Sequence, residues 1–339
     1  MGRLAIDAEN NRGDGGRGEG FAALAGTLWG VNYLVVKIVL TTVPEPLFLV
    51  IRFVAAIGLL LLYVAWRGES FRVDPGDVTP VIFLGLFGVG LQNVTWTYGI
   101  HRTTVSSAAL LICTAPLFTL LYAFASGRER AGWLRLLGTA AAFAGIYVIV
   151  ATTPGSRLEF TSAAFVGNLL ILASAALFAY YSLASSPLLK RYSAVKLFTL
   201  ASVVALPLFI ANAAFAPPFG DVSFGGLTAL EFVYIVVLGT IVAFVCWFQG
   251  IGRTSPVRTT LYQYMTPLVS TILSVVVLGE PFSPGHAAGA ALICGGLLAA
   301  RYDRRLPFLR YGSGSDFAVK DTGKKSECCQ GGNGKVRGE

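Results

Sequence analysis

The chain has 339 residues, of which 55% are hydrophobic, 39 are glycine and only 13% are charged, and its mean hydropathy is +0.67. Soluble domains carry roughly twice that charged fraction, so the composition is that of a multi-pass membrane protein and speaks against a cytosolic enzyme, a disulfide-stapled secreted scaffold, a disordered regulator or a nucleic-acid-binding domain. The net charge of +8 sits in the two tails and in short connections between apolar runs, where it reads as topology rather than as a nucleic-acid footprint.

Residues 1–20 are polar and Gly-rich, with Asp7, Glu9, Asp14 and Glu19 offsetting Arg3, Arg12 and Arg17. They lack the pattern of a secretory signal, so the first apolar segment is expected to be a retained helix. A helix needs about 20 apolar residues to span the bilayer core, and runs of that kind cover 21–41, 44–66, 78–101, 105–126, 132–153, 163–187, 195–216, 227–252, 257–279 and 285–302. The expected fold is therefore an all-α integral membrane protein of ten transmembrane helices. The runs are continuous rather than alternating, which favours helices over a barrel. Pro44, Pro75, Pro154, Pro217, Pro218, Pro281 and Pro284 fall at or beside the joints, where a missing backbone donor costs least.

Orientation follows from Lys and Arg in the short loops. With the N-terminus in the cytoplasm, the inner loops hold Arg67, Arg72, Arg128, Arg130, Arg135, Lys190, Arg191, Lys196, Arg253 and Arg258, whereas the outer loops hold Arg102 and Arg157. Both termini are thus expected in the cytoplasm. The tail 306–339 is Gly-, Ser- and Lys-rich and is expected to be disordered; its basic residues could touch anionic lipid, and Cys328–Cys329 either takes a lipid or stays a plain reduced pair. The other cysteines, Cys113, Cys246 and Cys294, have no metal spacing, and no cofactor is expected.

The chain also repeats itself. A shift of 151 residues superimposes Gly88 on Gly239, Trp96 on Trp247, Gly99 on Gly250, Arg102 on Arg253, Pro116 on Pro267, Leu117 on Leu268, Glu129 on Glu280 and Gly138 on Gly289. Each copy holds five helices, and an odd-numbered repeat inserts with its second copy inverted. Arg102 and Arg253 accordingly fall on opposite sides in the charge count. The expected organisation is a polar N-tail over 1–20, a first repeat over 21–153, a second over 163–302 and the C-tail. Two halves related by an axis in the membrane plane can open a midplane site to either side in turn, which is the mark of a transporter.

Trp29-Gly30-Val31-Asn32-Tyr33 with Lys37 in the first helix, Arg52 in the second, Thr114-Ala115-Pro116-Leu117 in the fourth, Met265-Thr266-Pro267-Leu268 in the ninth and Leu278-Gly279-Glu280 ahead of the tenth together resemble the EamA family of the drug/metabolite transporter superfamily, over roughly residues 21–302. The resemblance implies a ten-helix, two-repeat carrier, often an exporter of amino acids or other small metabolites, with helices 1, 3, 4, 6, 8 and 9 around the central cavity and helices 5 and 10 at the periphery.

Lys37 and Arg52 are the cations inside apolar runs, where burial is costly enough to point to function. One of them is expected to attract a substrate carboxylate; the alternative for Lys37 is snorkelling to the interface beside Glu45. The remaining cavity candidates are the polar and aromatic groups Trp29, Asn32, Tyr33, Gln92, Asn93, Trp96, Tyr180, Tyr181, Trp247, Tyr262, Gln263 and Tyr264. Amides in hydrocarbon need partners and so face the bundle interior or a wet cavity, and helical spacing puts Trp29, Asn32 and Tyr33 on one face. Pro116 and Pro267 are expected to kink their helices as hinges.

Glu45, Glu231 and Glu280 lie at helix ends and Glu129 in a loop, so a midplane carboxylate relay is not expected, and facilitated diffusion or exchange is favoured over proton antiport. His101 and His286, also near helix ends, read as solvated. No phosphate-binding Gly-rich loop is present, so no ATPase subunit is expected. The reading is an inner-membrane exporter or facilitator of amino acids or similar small amphipathic metabolites working by alternating access, for which a monomer suffices. Organic-phosphate or nucleotide-sugar carriage and drug export are the alternatives.

Overall fold

A computed structural model of the chain describes residues 2–125, 133–152, 162–214, 225–254 and 256–302. The expectations for Arg128, Glu129, Arg130, Arg157 and the C-tail lie outside these. Among the described residues the structure is helical, without strands. The α-helices are α1 (Gly2–Val39), α2 (Glu45–Trp66), α3 (Val78–Phe83), α4 (Gln92–Arg102), α5 (Val105–Ile112), α6 (Ala115–Ala125), α7 (Trp133–Thr152), α8 (Ala163–Leu188), α9 (Ala194–Ala214), α10 (Gly226–Tyr234), α11 (Ala243–Arg253), α12 (Pro256–Leu261), α13 (Met265–Leu273) and α14 (Pro284–Tyr302). Helices α3 and α4 are joined without a break by a π-helical stretch, Leu84–Leu91, and α10 and α11 by another, Ile235–Val242.

Among the described residues, six continuous helices are long and apolar enough to cross a bilayer: Gly16–Val39, Glu45–Trp66, Pro75–Arg102, Ala163–Leu188, Ala194–Ala214 and Gly226–Arg253. Polarity is distributed inside out. Leu62 and Val276 are 70% and 76% exposed, whereas Asn32, Arg52, Asn168 and Gln263 are at most 3% exposed. In water this would be unstable; in lipid it puts apolar surface against hydrocarbon and polar groups where they find partners. The chain is a multi-pass membrane protein.

The repeat is written into the backbone. The shift that aligns the sequence carries the first π-helical stretch onto the second, α4 onto α11 and the start of α5 onto the start of α12. Packing follows the same scheme, with α1 lying along α11 and α8 along α4. Helices α7 and α14 pack against each other and reach the remainder through α5. Glycines set the closest approaches: Gly26 lies under the Tyr262 carbonyl and Gly30 under Val269, leaving no room for a Cβ at either, which seats α1 on the ninth apolar run.

That run and its counterpart differ from expectation. The segments 105–126 and 257–279 are broken rather than kinked: Cys113 and Thr114 form a turn between α5 and α6, and Tyr262–Tyr264 is a short 3-10 segment between α12 and α13. Pro116 and Pro267 therefore sit in the first turn of a new helix, where the absent N–H costs nothing. The two breaks touch, because the Cys113 thiol, 3.4 Å from the Ala109 carbonyl in α5, also lies 3.7 Å from the Gln263 carbonyl, the acceptor that Pro267 leaves without its i+4 donor.

Both ends of the bundle are tied by polar groups. At one end Arg191 Nη1 donates to both Asp77 oxygens at 2.9 Å, the Tyr192 hydroxyl donates to the same carboxylate, and Lys196 donates to the Arg72 carbonyl. At the other, Glu45 accepts from Arg102 at 2.9 Å and lies 2.8 Å from His101. Gly279 adopts φ +64°, the left-handed turn that favours glycine, and so returns Glu280 to the N-terminus of α5, where its carboxylate accepts from the backbone N–H groups of Val105 and Ser106 at 2.8 and 3.1 Å.

Candidate functional site

Where the two breaks meet, helices α1, α2, α4, α5, α8, α11 and α13 and the short 3-10 segment Tyr262–Tyr264 line a cavity of about 40 Å³. Its polar wall is Arg52, Asn32, Gln92, Asn93, Gln263 and Thr266, and its apolar wall is Trp29, Tyr33, Trp96, Ile112, Phe178 and Phe244. At roughly 10–15 Å³ per water it has room for about three waters, so a metabolite requires the walls to part.

Arg52 dominates the polar wall. The residue is 2% exposed; Nε donates to the Thr240 hydroxyl at 2.7 Å, and Nη1 has no hydrogen-bond partner. Three aromatic faces surround the guanidinium, with Phe53, Trp96 and Phe48 centroids 5.3, 5.7 and 5.9 Å from Cζ. Such contacts soften the burial of a cation without neutralising it. Thr240 is held in turn, because its hydroxyl donates to the Ile235 carbonyl five residues back, across the π-helical stretch. Such stretches recur at functional positions because the extra residue redirects a side chain.

The adjacent Gly239 completes the arrangement. A Cβ there would collide with the Asn32 amide, so the glycine is what lets Asn32 reach the cavity. Gln92 donates to Ser174 at 3.0 Å and Asn93 to the Gln92 side chain at 2.9 Å, which locks both amides. Asn32 Oδ1 and Gln263 Oε1 are buried with no partner. The apolar wall is a herringbone: Trp29 meets Phe178 and Phe244 edge-on at 5.5 and 5.1 Å, and Tyr33 meets Trp96 edge-on at 5.1 Å.

Of the sequence-predicted residues, Trp29, Asn32, Tyr33, Arg52, Gln92, Asn93, Trp96 and Gln263 come together in this wall. Six lie elsewhere. Lys37 reaches the C-terminus of α4, donating to the carbonyls of Ile100, His101 and Thr103 at 2.8, 2.9 and 2.6 Å; a cation there complements the helix dipole, and Glu45 is taken by His101 and Arg102 instead. Trp247 backs Trp29 at 5.1 Å and donates to Ser182. Tyr181 stacks on Phe248, Tyr262 donates to Glu19, and Tyr180 and Tyr264 are part-buried outside the wall. His286, expected to be solvated, is fully buried between the Ser107 and Ser283 hydroxyls. Ile112, Phe178, Phe244 and Thr266 were not expected in the wall. The repeat carried a signal for two of them, since the 151-residue shift places Ile112 on Gln263 and Asn93 on Phe244.

Broken helices from two repeats meeting at a polar cavity recur in secondary transporters. A sequence profile described as the EamA-like transporter family matches twice, over residues 16–151 and 165–302. The chain belongs to the EamA-like transporter family. Relatives of this EamA chain include proteins that are themselves named as transporters. The uncharacterized transporter YetK of Bacillus subtilis is 26% identical over 287 residues, 84% of this chain and 87% of that one. The inner membrane transporter YedA of Escherichia coli K12, also uncharacterized, is 28% identical, with 76% and 81% covered. A protein of Streptantibioticus cattleyicolor named "Probable terminal-alkyne amino-acid exporter" is 28% identical over 229 residues, 66% and 72% of the two chains. A solved crystal structure shares the fold, with a TM-score of 0.59 at 23% identity over 84% of this chain and 96% of that one.

Proposed function

We propose that this EamA protein is a ten-helix secondary carrier of the inner membrane, both termini cytoplasmic, that exports or facilitates the passage of amino acids or similar small amphipathic metabolites by alternating access. The observation that carries the reading is Arg52, a cavity-lining cation with a free Nη1 donor, which receives the substrate carboxylate while the aromatic wall takes the apolar part. The amino-acid exporter name of the Streptantibioticus relative supports the same class. A phosphorylated substrate fits less well, because the described cavity wall offers one cation and a phosphoryl group calls for more.

The two helix breaks before Pro116 and Pro267 are the hinges in this reading: half-helices that already lack continuous hydrogen bonding swing at little cost. The cavity wall contains no carboxylate among its described residues, which favours flux without proton coupling. Uptake of a labelled amino-acid panel into proteoliposomes, with and without an imposed pH gradient, tests the proposal. Saturable flux that ignores the gradient and falls on Arg52→Gln is the expected result. Flux unchanged in Arg52→Gln removes the carboxylate role, and absence of flux for every member removes the substrate class.

A further inference from the structure

The charge of the cavity narrows the substrate within that class. Arg52 is the one charged residue in the described wall. The carboxylates on the helices that build the wall lie away from it. Glu19 is ten residues before Trp29 on α1, about 15 Å along the axis, and accepts from Tyr262. Glu45 is seven residues before Arg52 on α2, about 10 Å along the axis, and is engaged by His101 and Arg102. Glu231 precedes Thr240 by nine residues, about 13 Å. Glu280 is occupied by the N-terminus of α5. The groups facing Arg52 are neutral: the Thr240 hydroxyl and three aromatic rings.

A substrate with net charge −1 brings this enclosed wall to neutrality. A zwitterion leaves it at +1, and its ammonium, shed of water, would find only neutral acceptors such as Asn32 Oδ1 and Gln263 Oε1. An ion buried without a counter-charge gives up its hydration uncompensated, so the difference favours the monoanion. The apolar wall offers the ammonium no open cage, because the Trp29, Phe178 and Phe244 rings are packed edge to face on one another.

Resting on the carrier reading above, we infer that the preferred substrates are monocarboxylates with an apolar body and a neutral hydrogen-bond donor in place of the amino group, namely N-acyl or hydroxy relatives of amino acids, rather than the zwitterions themselves. The two unpaired amide oxygens then accept from an amide N–H or a hydroxyl, and Arg52 Nη1 donates to the carboxylate.

The test holds the apolar body constant and varies charge. Purified full-length protein in liposomes is assayed with leucine, N-acetyl-leucine, 2-hydroxy-4-methylpentanoate and leucinamide, with flux into protein-free liposomes subtracted. The monoanions are expected to show a KM at least about tenfold below that of leucine, the ratio produced by about 1.4 kcal/mol, with leucinamide excluded. Arg52→Gln should bring the KM ratio to within about twofold of one, while Arg52→Lys, which keeps the charge if the glutamine variant fails to fold, should retain the order. Leucine carried as well as or better than the monoanions overturns the inference and leaves the carrier reading standing. A monoanion preference that survives Arg52→Gln also overturns it. No saturable flux of any of the four removes both readings.

Discussion

The two repeats share a backbone and differ in what they hang on it. Each carries a π-helical stretch, a following helix and a broken helix at equivalent positions, yet the 151-residue shift places Gln92 on Ala243 and Asn93 on Phe244. The clearest divergence is next to the π-helical stretches. Gly239 accommodates an amide, Asn32, and Gly88 accommodates an aromatic ring, Tyr181; the following residue is Thr240 in one copy and Val89 in the other. Duplication supplied a symmetric frame, and divergence made its centre asymmetric, with the cation and the locked amides contributed by the first copy and the residue that orients the cation by the second. The proposed solute, with one charged end, matches that asymmetry.

Adding a methyl to each equivalent glycine separates the copies most sharply. Gly239→Ala must expel the Asn32 amide, and Gly88→Ala must shift the Tyr181 ring, whose nearest atom stands 2.8 Å from where the Cβ would be; overpacking of this kind costs about 1–3 kcal/mol. Thermal unfolding in detergent is expected to fall for both. Transport per folded molecule should fall up to about a hundredfold for Gly239→Ala and much less for Gly88→Ala. Equal losses of transport would dissolve the distinction between an amide-bearing and a packing copy.

Next in size is the residue that orients Arg52. Thr240→Val removes a hydrogen bond to a charged donor, so KM for anionic substrates should rise about tenfold with little change in the maximal rate, and Thr240→Ser should restore it. The equivalent change in the other copy, Val89→Thr, should leave KM within about twofold. A smaller effect, confined to stability, is expected of Lys37→Met. Loss of three charge-assisted bonds to the end of α4 lowers stability by about 2 kcal/mol while the KM of the folded fraction stays as it was; a raised KM would return Lys37 to the site. The least is expected of Glu280→Gln, which weakens the cap on α5 by about 1 kcal/mol, read as a lower unfolding temperature.

Much of the candidate site is legible in the sequence. Buried polarity is costly in hydrocarbon, so Arg52, Asn32, Gln92, Asn93 and Gln263 stood out in their apolar runs, and all five line the cavity. Lys37 stood out for the same reason and went elsewhere, because composition marks a residue that needs partners without saying whether those are a solute or three backbone carbonyls. The misplaced tyrosines teach the same point: Tyr181 and Tyr262 found a ring and a carboxylate, Phe248 and Glu19, from other helices. Phe178 and Phe244 went unnoticed because a phenylalanine in a membrane helix looks like lipid-facing or packing surface until its neighbours are known. His286 looked like an end residue, and only the packing of α14 against α5 buried it.

By itself the sequence determined the environment, the apolar runs, the duplication and the set of groups too polar to face lipid, because each of these is a property of composition or spacing along one chain. Tertiary structure decided how those groups were used. Only with the helices in place did the proline motifs become ends of half-helices rather than kinks, did a left-handed turn at Gly279 send Glu280 to cap α5, and did Lys37 and Arg52 part company. The reason is that partners for a buried polar group come from other helices, and helix-to-helix register is set by where glycine lets two helices close, as at Gly26 and Gly30, a property of pairs of surfaces that no single stretch of sequence contains.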